Sequence, residues 1–290
     1  MTPETDVLLS RFTTIGTGGP ARAFARPASL TELEEALRFA AERGLPARAV
    51  GLGSNLLAAD AGVDALVLRL AGALAEARVE GDLLIAGGGA TNAVCLHRAR
   101  DAGLGGFEFA CAIPGTAGGG VWMNAGAYGS DWSAILVRAL VASVDGTGWL
   151  TPAELGLSYR HSSLRDGQIV AAVEYRLQPR PGDEIARRVV ELVAERKSTQ
   201  PTNKRTFGSV FKNPSDELGA GRLLESCGLK GFRIGDAMIS PKHANFVENT
   251  GGATTADCMA LMAEARRRAR EQHGVELEHE VVLLGDLTVP

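Results

Sequence analysis

The sequence predicts an α+β protein, and three observations carry that prediction. Between residues 47 and 177, short runs rich in Val, Leu, Ile and Ala are separated by glycine clusters, which reads as a succession of strands with few helices. From Asp183 onward apolar residues recur at helical spacing (Ile185, Val189, Leu192, Val193), and helical patterns return at about 218–227 and 255–272. The third is the stretch Ile113 to Gly129, IPGTAGGGVWMNAGAYG, in which six of seventeen residues are glycine among apolar and small neighbours. That composition is wrong for a solvated tether. It leaves two readings open, a tight turn packed in a core or main-chain amides wrapped around a flat polar ligand.

Length and charge bound the rest. With 290 residues, 45% of them hydrophobic and 22% charged, the chain has room for two or three globular domains. A net charge of -4 argues against overall electrostatic attachment to nucleic acid or an acidic membrane, and it leaves small anionic substrates open. The start, MTPETDVLLSRF, lacks a basic region followed by an apolar one, and no window holds eighteen uninterrupted apolar residues, so a cytoplasmic, membrane-free protein is expected. Cys95, Cys111, Cys227 and Cys258 lie far apart in apolar surroundings and are expected to be buried free thiols. The five histidines show no metal-ligand spacing, and no metal is expected.

Taken in order, Ser29-Leu-Thr-Glu32 is a capping box, and Leu33, Leu37 and Ala40 continue a helix to about residue 43, before Gly44. Ala47 to Val50 and Val63 to Leu70 are strand candidates flanking Gly51-Leu-Gly-Ser-Asn-Leu-Leu57. The third glycine of a dinucleotide fingerprint is replaced by Leu56, so a Rossmann reading fails. Ser54, Asn55 and the loop amides remain suited to phosphate. Leu83 to Ala86 is a strand ending in Gly87-Gly-Gly89, and Thr91 caps a helix to about Ala102. Ile135 to Val144 leads to an Asp145-Gly146 hairpin turn, and Ile169 to Leu177 to a junction at Pro179 and Pro181. Arg266-Arg-Arg268 and Arg270 read as a solvated basic helix face. Val275 to Leu284 is expected to be a strand with Glu278 and Glu280 on one face.

Three polar clusters stand beside the glycine loops: Tyr159-Arg-His-Ser162, Phe207-Gly-Ser-Val-Phe-Lys-Asn-Pro214 and Glu278-His-Glu280. Each has a structural reading too, with Arg160 as an ion-pair partner, Ser209 as a turn residue and Glu280 as a half-covered strand residue. Lys212-Asn-Pro214 forms a compact polar site for a phosphate or an amide. A GxSxG elbow, a Walker A loop and a kinase set are all missing.

In this order the segments resemble the UDP-N-acetylenolpyruvoylglucosamine reductase family of peptidoglycan synthesis. The likeness runs through TIGTGGPA (14–21), GLGSNLL (51–57), the stretch 113–129, Tyr159 to Ser162, GSVFKNP (208–214), GRLLESCGLKG (221–231), His243 to Asn249 and Leu277 to Gly285. It implies a vanillyl-alcohol-oxidase-type FAD-binding region of two subdomains, 1–72 and 73–181, and a C-terminal substrate domain, 182–290. By that resemblance Gly51, Leu52, Gly53, Ser54, Asn55 and Leu56 meet the pyrophosphate. Pro114, Gly115, Thr116, Gly118 and Gly119, with Asn124, Gly126, Ala127 and Tyr128, line the flavin.

None of these loops holds a histidine, so FAD is expected to be noncovalent. NADPH is the implied hydride donor and UDP-N-acetylglucosamine enolpyruvate the implied acceptor. Arg160 and Glu280 match the family's stabilisers of an enediolate, and Ser209 its proton donor. Asn213, Lys197 and Lys212 are the implied substrate-binding residues, Lys197 by spacing only. Between Tyr175 and Lys197 there is no long insertion, so the chain resembles the family's shorter branch. An FAD oxidase of the same fold would share the glycine loops without needing Arg160, Ser209 and Glu280 together.

Overall fold

The computed structural model describes residues 2–288. The chain folds as two units, each assembled from separate stretches. The first takes Met1–Thr5, Ala23–Leu52 and Asp64–Glu195, and the second Asp6–Arg22, Gly53–Val63 and Arg196–Pro290.

In the first unit the Ser29 hydroxyl accepts the Glu32 amide at 3.2 Å, which starts helix α1 (Leu30–Glu42) where the capping motif predicts it. Leu33, Ala36, Leu37 and Ala40 form its buried stripe. Strand Ala47–Ala49 then pairs in parallel with Val63–Leu68, from Ala47↔Leu66 to Ala49↔Leu68. A five-stranded antiparallel sheet follows, in the spatial order Gly146–Leu150, Leu136–Ser143, Ile169–Arg176, Leu83–Gly87, Ala77–Glu80. Its first hairpin closes at Ser143↔Gly146, as the Asp-Gly signal predicts. Thr91 caps helix α2 (Asn92–Asp101) by accepting the Val94 amide.

The stretch 113–129 contains a short helix, α3 (Ala117–Trp122), where the sequence suggested a loop. Glycine disfavours helix, so tertiary packing must hold it there. Beneath it lie the buried rings of Phe107, Phe109, Trp132 and Tyr175, with Phe109 and Trp132 edge to face at 5.2 Å. The Trp132 indole N–H donates to the Tyr175 hydroxyl at 2.6 Å, and that hydroxyl lies 3.4 Å from the Ala117 carbonyl. Burial holds the Tyr175 phenol well above its ordinary pKa, so it stays a donor. Helix α4 (Gly182–Thr199) buries Ile185 and Leu192.

The second unit is built on a four-stranded antiparallel sheet in the spatial order Thr206–Ser209, Phe246–Asn249, Ala237–Ile239, Arg233–Ile234. Helices α5 (Ala220–Ser226) and α6 (Thr255–His273) join it in one core that also takes Ile15 and Leu57 from the early segments. Thr254 and Asp257 form a capping box at α6, and the Asp60 carboxylate accepts the Thr255 and Ala256 amides at 3.0 and 2.9 Å. The expected basic face of α6 is solvated only in part: Arg267 and Arg270 are exposed and pair with Glu264 and Glu271 and with Glu276, while Arg268 is half-buried, pairing with Glu264 over the Phe232 ring.

The expected strand Val275 to Leu284 is shorter than read. Only Val282–Leu284 is regular, in parallel with Leu56–Ala58. Residues 278–280 instead run beside 210–212 through one isolated bridge, Phe211↔His279. Cys95, Cys227 and Cys258 are buried free thiols as expected, and Cys111 is half-buried. Among the described residues no helix is long and apolar enough to cross a membrane, and no group of three or more side chains could hold a metal ion.

Candidate active site

In the first unit, Tyr159 and Arg160 form the tip of a two-residue turn closed by Ser158 and His161, which exchange both backbone hydrogen bonds at 3.1 Å. Arg160 has φ +52, the left-handed region that a side chain adopts at a cost of about 1–2 kcal/mol. Its Nη2 donates to the Gly126 carbonyl at 2.7 Å. A Cβ on Gly126 would meet the Ser130 carbonyl and the Asp131 Cβ at 2.7 Å, so the close pairing with 130–131 requires the glycine, and it would also meet Arg160 Nη1 at 3.2 Å. Asn124, only 1% exposed and also in the left-handed region, ties this corner together. Its amide donates to the Ser158 carbonyl at 3.0 Å and to Asp131 at 3.3 Å, and its Oδ1 accepts the Ser133 amide at 2.9 Å. Tyr128, a third residue with positive φ, donates to the Leu192 carbonyl of α4 at 3.0 Å.

Thr116 opens α3 by accepting the Gly119 amide at 3.3 Å. A Cβ on Gly51 would lie 2.7 Å from the Thr116 hydroxyl oxygen, which joins the end of the 47–49 strand to the start of the helix. Gly119 is exposed, and a Cβ there would meet only Thr116, at 3.4 Å.

The remaining groups belong to the second unit. Strand Thr206–Ser209 pairs with Phe246–Asn249 at Thr206↔Glu248 and Ser209↔Phe246, so three steps on one strand face two on the other. This is a bulge, and Gly208 with φ +82 supplies its turn. Beyond it the Glu280 amide donates to the Val210 carbonyl at 2.8 Å and the Lys212 amide to the Glu278 carbonyl at 2.9 Å. Ser209 and Glu280, far apart in sequence, thus sit on neighbouring backbone. Asn55 joins them, its side-chain amide donating to the Glu280 carbonyl at 3.2 Å, while a Cβ on Gly208 would lie 3.0 Å from the Ser54 carbonyl.

Two family models match the chain, an FAD binding domain over residues 21–149 and the C-terminal domain of UDP-N-acetylenolpyruvoylglucosamine reductase over 200–284. A reductase of that name from Symbiobacterium thermophilum is 44% identical over 96% of this chain and 90% of its own length. The chain belongs to the UDP-N-acetylenolpyruvoylglucosamine reductase family. A second reductase of the family, from Rubrobacter xylanophilus, is 41% identical over 97% of the chain and 95% of its own length. The crystal structure of the Thermus caldophilus reductase superposes with a TM-score of 0.84 at 37% identity, covering 97% of this chain and 99% of that one. With this membership and its FAD-binding region, the chain is a flavoprotein oxidoreductase with an α+β fold.

Among the reductase residues expected to hold FAD, the structure separates two kinds. Gly51 is packed against Thr116, a Cβ there meeting its hydroxyl oxygen at 2.7 Å, whereas the neighbouring Gly119 is exposed with open space in front of it, which fits a flat cofactor held by main chain. Gly118 is held differently. It is buried, its amide donates to the Gly88 carbonyl at 2.8 Å, and a Cβ would meet that carbonyl oxygen at 2.9 Å, so its missing side chain serves helix-to-strand packing. The Asn124 side chain is likewise committed to its three internal partners. The Gly51 to Leu56 loop divides between the units after Leu52, and Leu56 opens the strand paired with Val282.

Of the implied substrate contacts, Lys212 is paired with Glu278 at 2.6 Å, and Asn213 Oδ1 accepts the first amide of α5 at 3.1 Å. Lys197 is exposed in the last turn of α4, where its carbonyl accepts the Lys242 ammonium. Asn245, inside the family-like segment His243 to Asn249, holds Phe211 through its side-chain amide. Its role depends on a pairing to residue 211 that no local pattern announces.

Proposed function

We propose that the chain catalyses NADPH-dependent reduction of UDP-N-acetylglucosamine enolpyruvate to UDP-N-acetylmuramate, a peptidoglycan precursor. The reaction adds one hydride and one proton across the enolpyruvyl double bond and leaves NADP+. Both substrates are metabolites of the cytoplasm, where the protein is proposed to work. The observation that supports this reading most is the joining of Ser209 and Glu280 on adjacent backbone through Val210, in a chain 44% identical to a reductase of this name.

The exposed Gly119 beside Thr116 and the backbone of 126–128 would hold FAD noncovalently, and when bound it would supply the hydride relay. Hydride arrival at C3 leaves negative charge at C2 and the adjoining carboxylate. Ser209 delivers its hydroxyl proton to C2, a role open to so weak an acid only against a strongly basic, carbanion-like centre. Arg160 counters the charge with its guanidinium. Glu280 contributes to stabilising the same intermediate. Lys212 reaches a substrate phosphate by exchanging it for Glu278, with Asn213 and Lys197 as the further contacts of that group.

The test separates the two halves of the reaction. In the yellow FAD-loaded protein, Ser209→Ala is expected to keep bleaching by NADPH. Recolouring by the enolpyruvyl sugar nucleotide should slow by about a hundredfold or more, the usual loss when one transition-state donor is removed. Near-normal recolouring would remove Ser209 from the mechanism.

A further inference from the structure

We infer that Asn245 is the positioning residue of the proton-delivery site, a side-chain amide that stands in for a missing strand residue and fixes where Ser209 points. The inference rests on the proton-donor reading of Ser209. The regular ladder between the 206–209 and 246–249 strands ends at Ser209↔Phe246. One residue further, the Val210 amide still finds a main-chain partner, the Asn245 carbonyl at 2.9 Å. After that the Asn245 side chain takes over. Its Oδ1 accepts the Phe211 amide at 2.9 Å and its Nδ2 donates to the Phe211 carbonyl at 2.8 Å.

A planar carboxamide offers one donor and one acceptor side by side, which is the pattern a strand peptide offers, so it can extend a ladder by one pair. Both hydrogen bonds are buried, Asn245 being 4% exposed and Phe211 1%. Buried hydrogen bonds hold geometry better than exposed ones, because no water competes for the partners.

The place of the clamp gives it consequence. The bulge at Phe207 and Gly208 interrupts the ladder just before Ser209, so the pairing of Val210 and Phe211 beyond it fixes the backbone that carries the hydroxyl. On the other edge of the same segment, Val210 and Lys212 pair with Glu280 and Glu278. The Asn245 amide therefore holds Phe211 on the side opposite its bridge to His279, and losing it loosens both Ser209 and the backbone that carries Glu280. A proton donor displaced by about 1 Å loses on the order of a hundredfold in rate while substrate binding changes little.

The experiment uses the FAD-loaded protein with Asn245→Ala and, as a shape-preserving second variant, Asn245→Asp, which keeps the acceptor and loses the donor. Hydrogen exchange across 206–212 should rise in both, and bleaching by NADPH should stay within about twofold. Recolouring by the enolpyruvyl sugar nucleotide should slow by about a hundredfold, with little change in its KM. In a Ser209→Ala background, Asn245→Ala should add almost nothing to the loss, the non-additivity of a residue acting through another. Unchanged exchange, equal losses in both half-reactions, or an additive double variant would each overturn the inference. Slow recolouring in Ser209→Ala with normal recolouring in the Asn245 variants overturns it while sparing the proton-donor reading. Normal recolouring in Ser209→Ala overturns that reading instead.

Discussion

Arg160 holds a backbone conformation that asparagine and glycine tolerate far better. Its guanidinium donates to the Gly126 carbonyl, a contact worth about 1 kcal/mol, which is close to the strain it offsets. Arg160→Asn should therefore leave the chemical-denaturation midpoint near that of the parent while turnover falls by about two orders of magnitude or more. A large loss of stability with modest loss of turnover would make Arg160 structural, the bland reading of its sequence cluster. The sequence could flag Arg160 through its motif, but its left-handed φ and its debt to Gly126 depend on tertiary contacts. The Asn124 side chain braces the Arg160 turn and the hairpin beside it, a role set by partners at residues 131, 133 and 158 that no local pattern shows.

His243 carries a prediction of its own. Burial first, and then the Lys230 ammonium, lower its pKa from 6.5, so folding favours the neutral ring. The unfolded chain binds more protons below pH 6.5, and stability should fall as pH drops through that value, levelling off once the folded ring protonates too. His279 is lowered by burial as well and adds to the same slope. His243→Gln should flatten the slope of unfolding free energy between about pH 7 and 5.5. An unchanged slope would place the titration elsewhere.

Among the elements, those set by local chemistry were readable. The Ser29 and Thr91 caps, the Asp145-Gly146 turn and the apolar stripe of α4 all act within a few residues of themselves. Strand 275–284 failed because hydropathy cannot say whether a neighbouring strand exists, and beside 278–280 it is only residues 210–212. Helix α3 failed because glycine hides a helix whose support is the aromatic layer below.

That helix makes the sharpest contrast between packing and binding glycines. A Cβ on Gly120 would overlap the Trp132 ring, so Gly120→Ala should cost about 2 kcal/mol or more in the apoprotein. At Gly119 the same methyl meets only Thr116 at ordinary contact distance, and alanine gains up to about 1 kcal/mol of helix propensity. Gly119→Ala should thus leave the apoprotein as stable or more so, yet weaken FAD binding in a fluorescence titration. Equal FAD affinity in Gly119→Ala would move the cofactor away from this face.

At the scale of the molecule, the chain passes between its units at residues 5/6, 22/23, 52/53, 63/64 and 195/196. The family models read the protein as consecutive blocks, 21–149 and 200–284, and a linear sequence invites the same reading. The second unit's own contacts forbid cutting it out that way. Its core includes Ile15 and Leu57, its last strand pairs with Leu56–Ala58, and α6 begins on the Asp60 carboxylate. The buried Thr255 hydroxyl lies 2.7 Å from both the Thr17 hydroxyl and the Ala58 carbonyl. A fragment beginning at Arg196 loses every one of these partners. Two large apolar side chains leave the core, each worth about 2 kcal/mol or more, and several buried polar groups lose their partners at about 1–3 kcal/mol each. Those losses together approach the whole stability of a small domain. The fragment 196–290 should show no cooperative thermal unfolding and poor dispersion of its amide resonances, whereas the full chain unfolds cooperatively. A well-dispersed, cooperatively melting fragment would mean that the early segments only decorate a core that the C-terminal third builds alone.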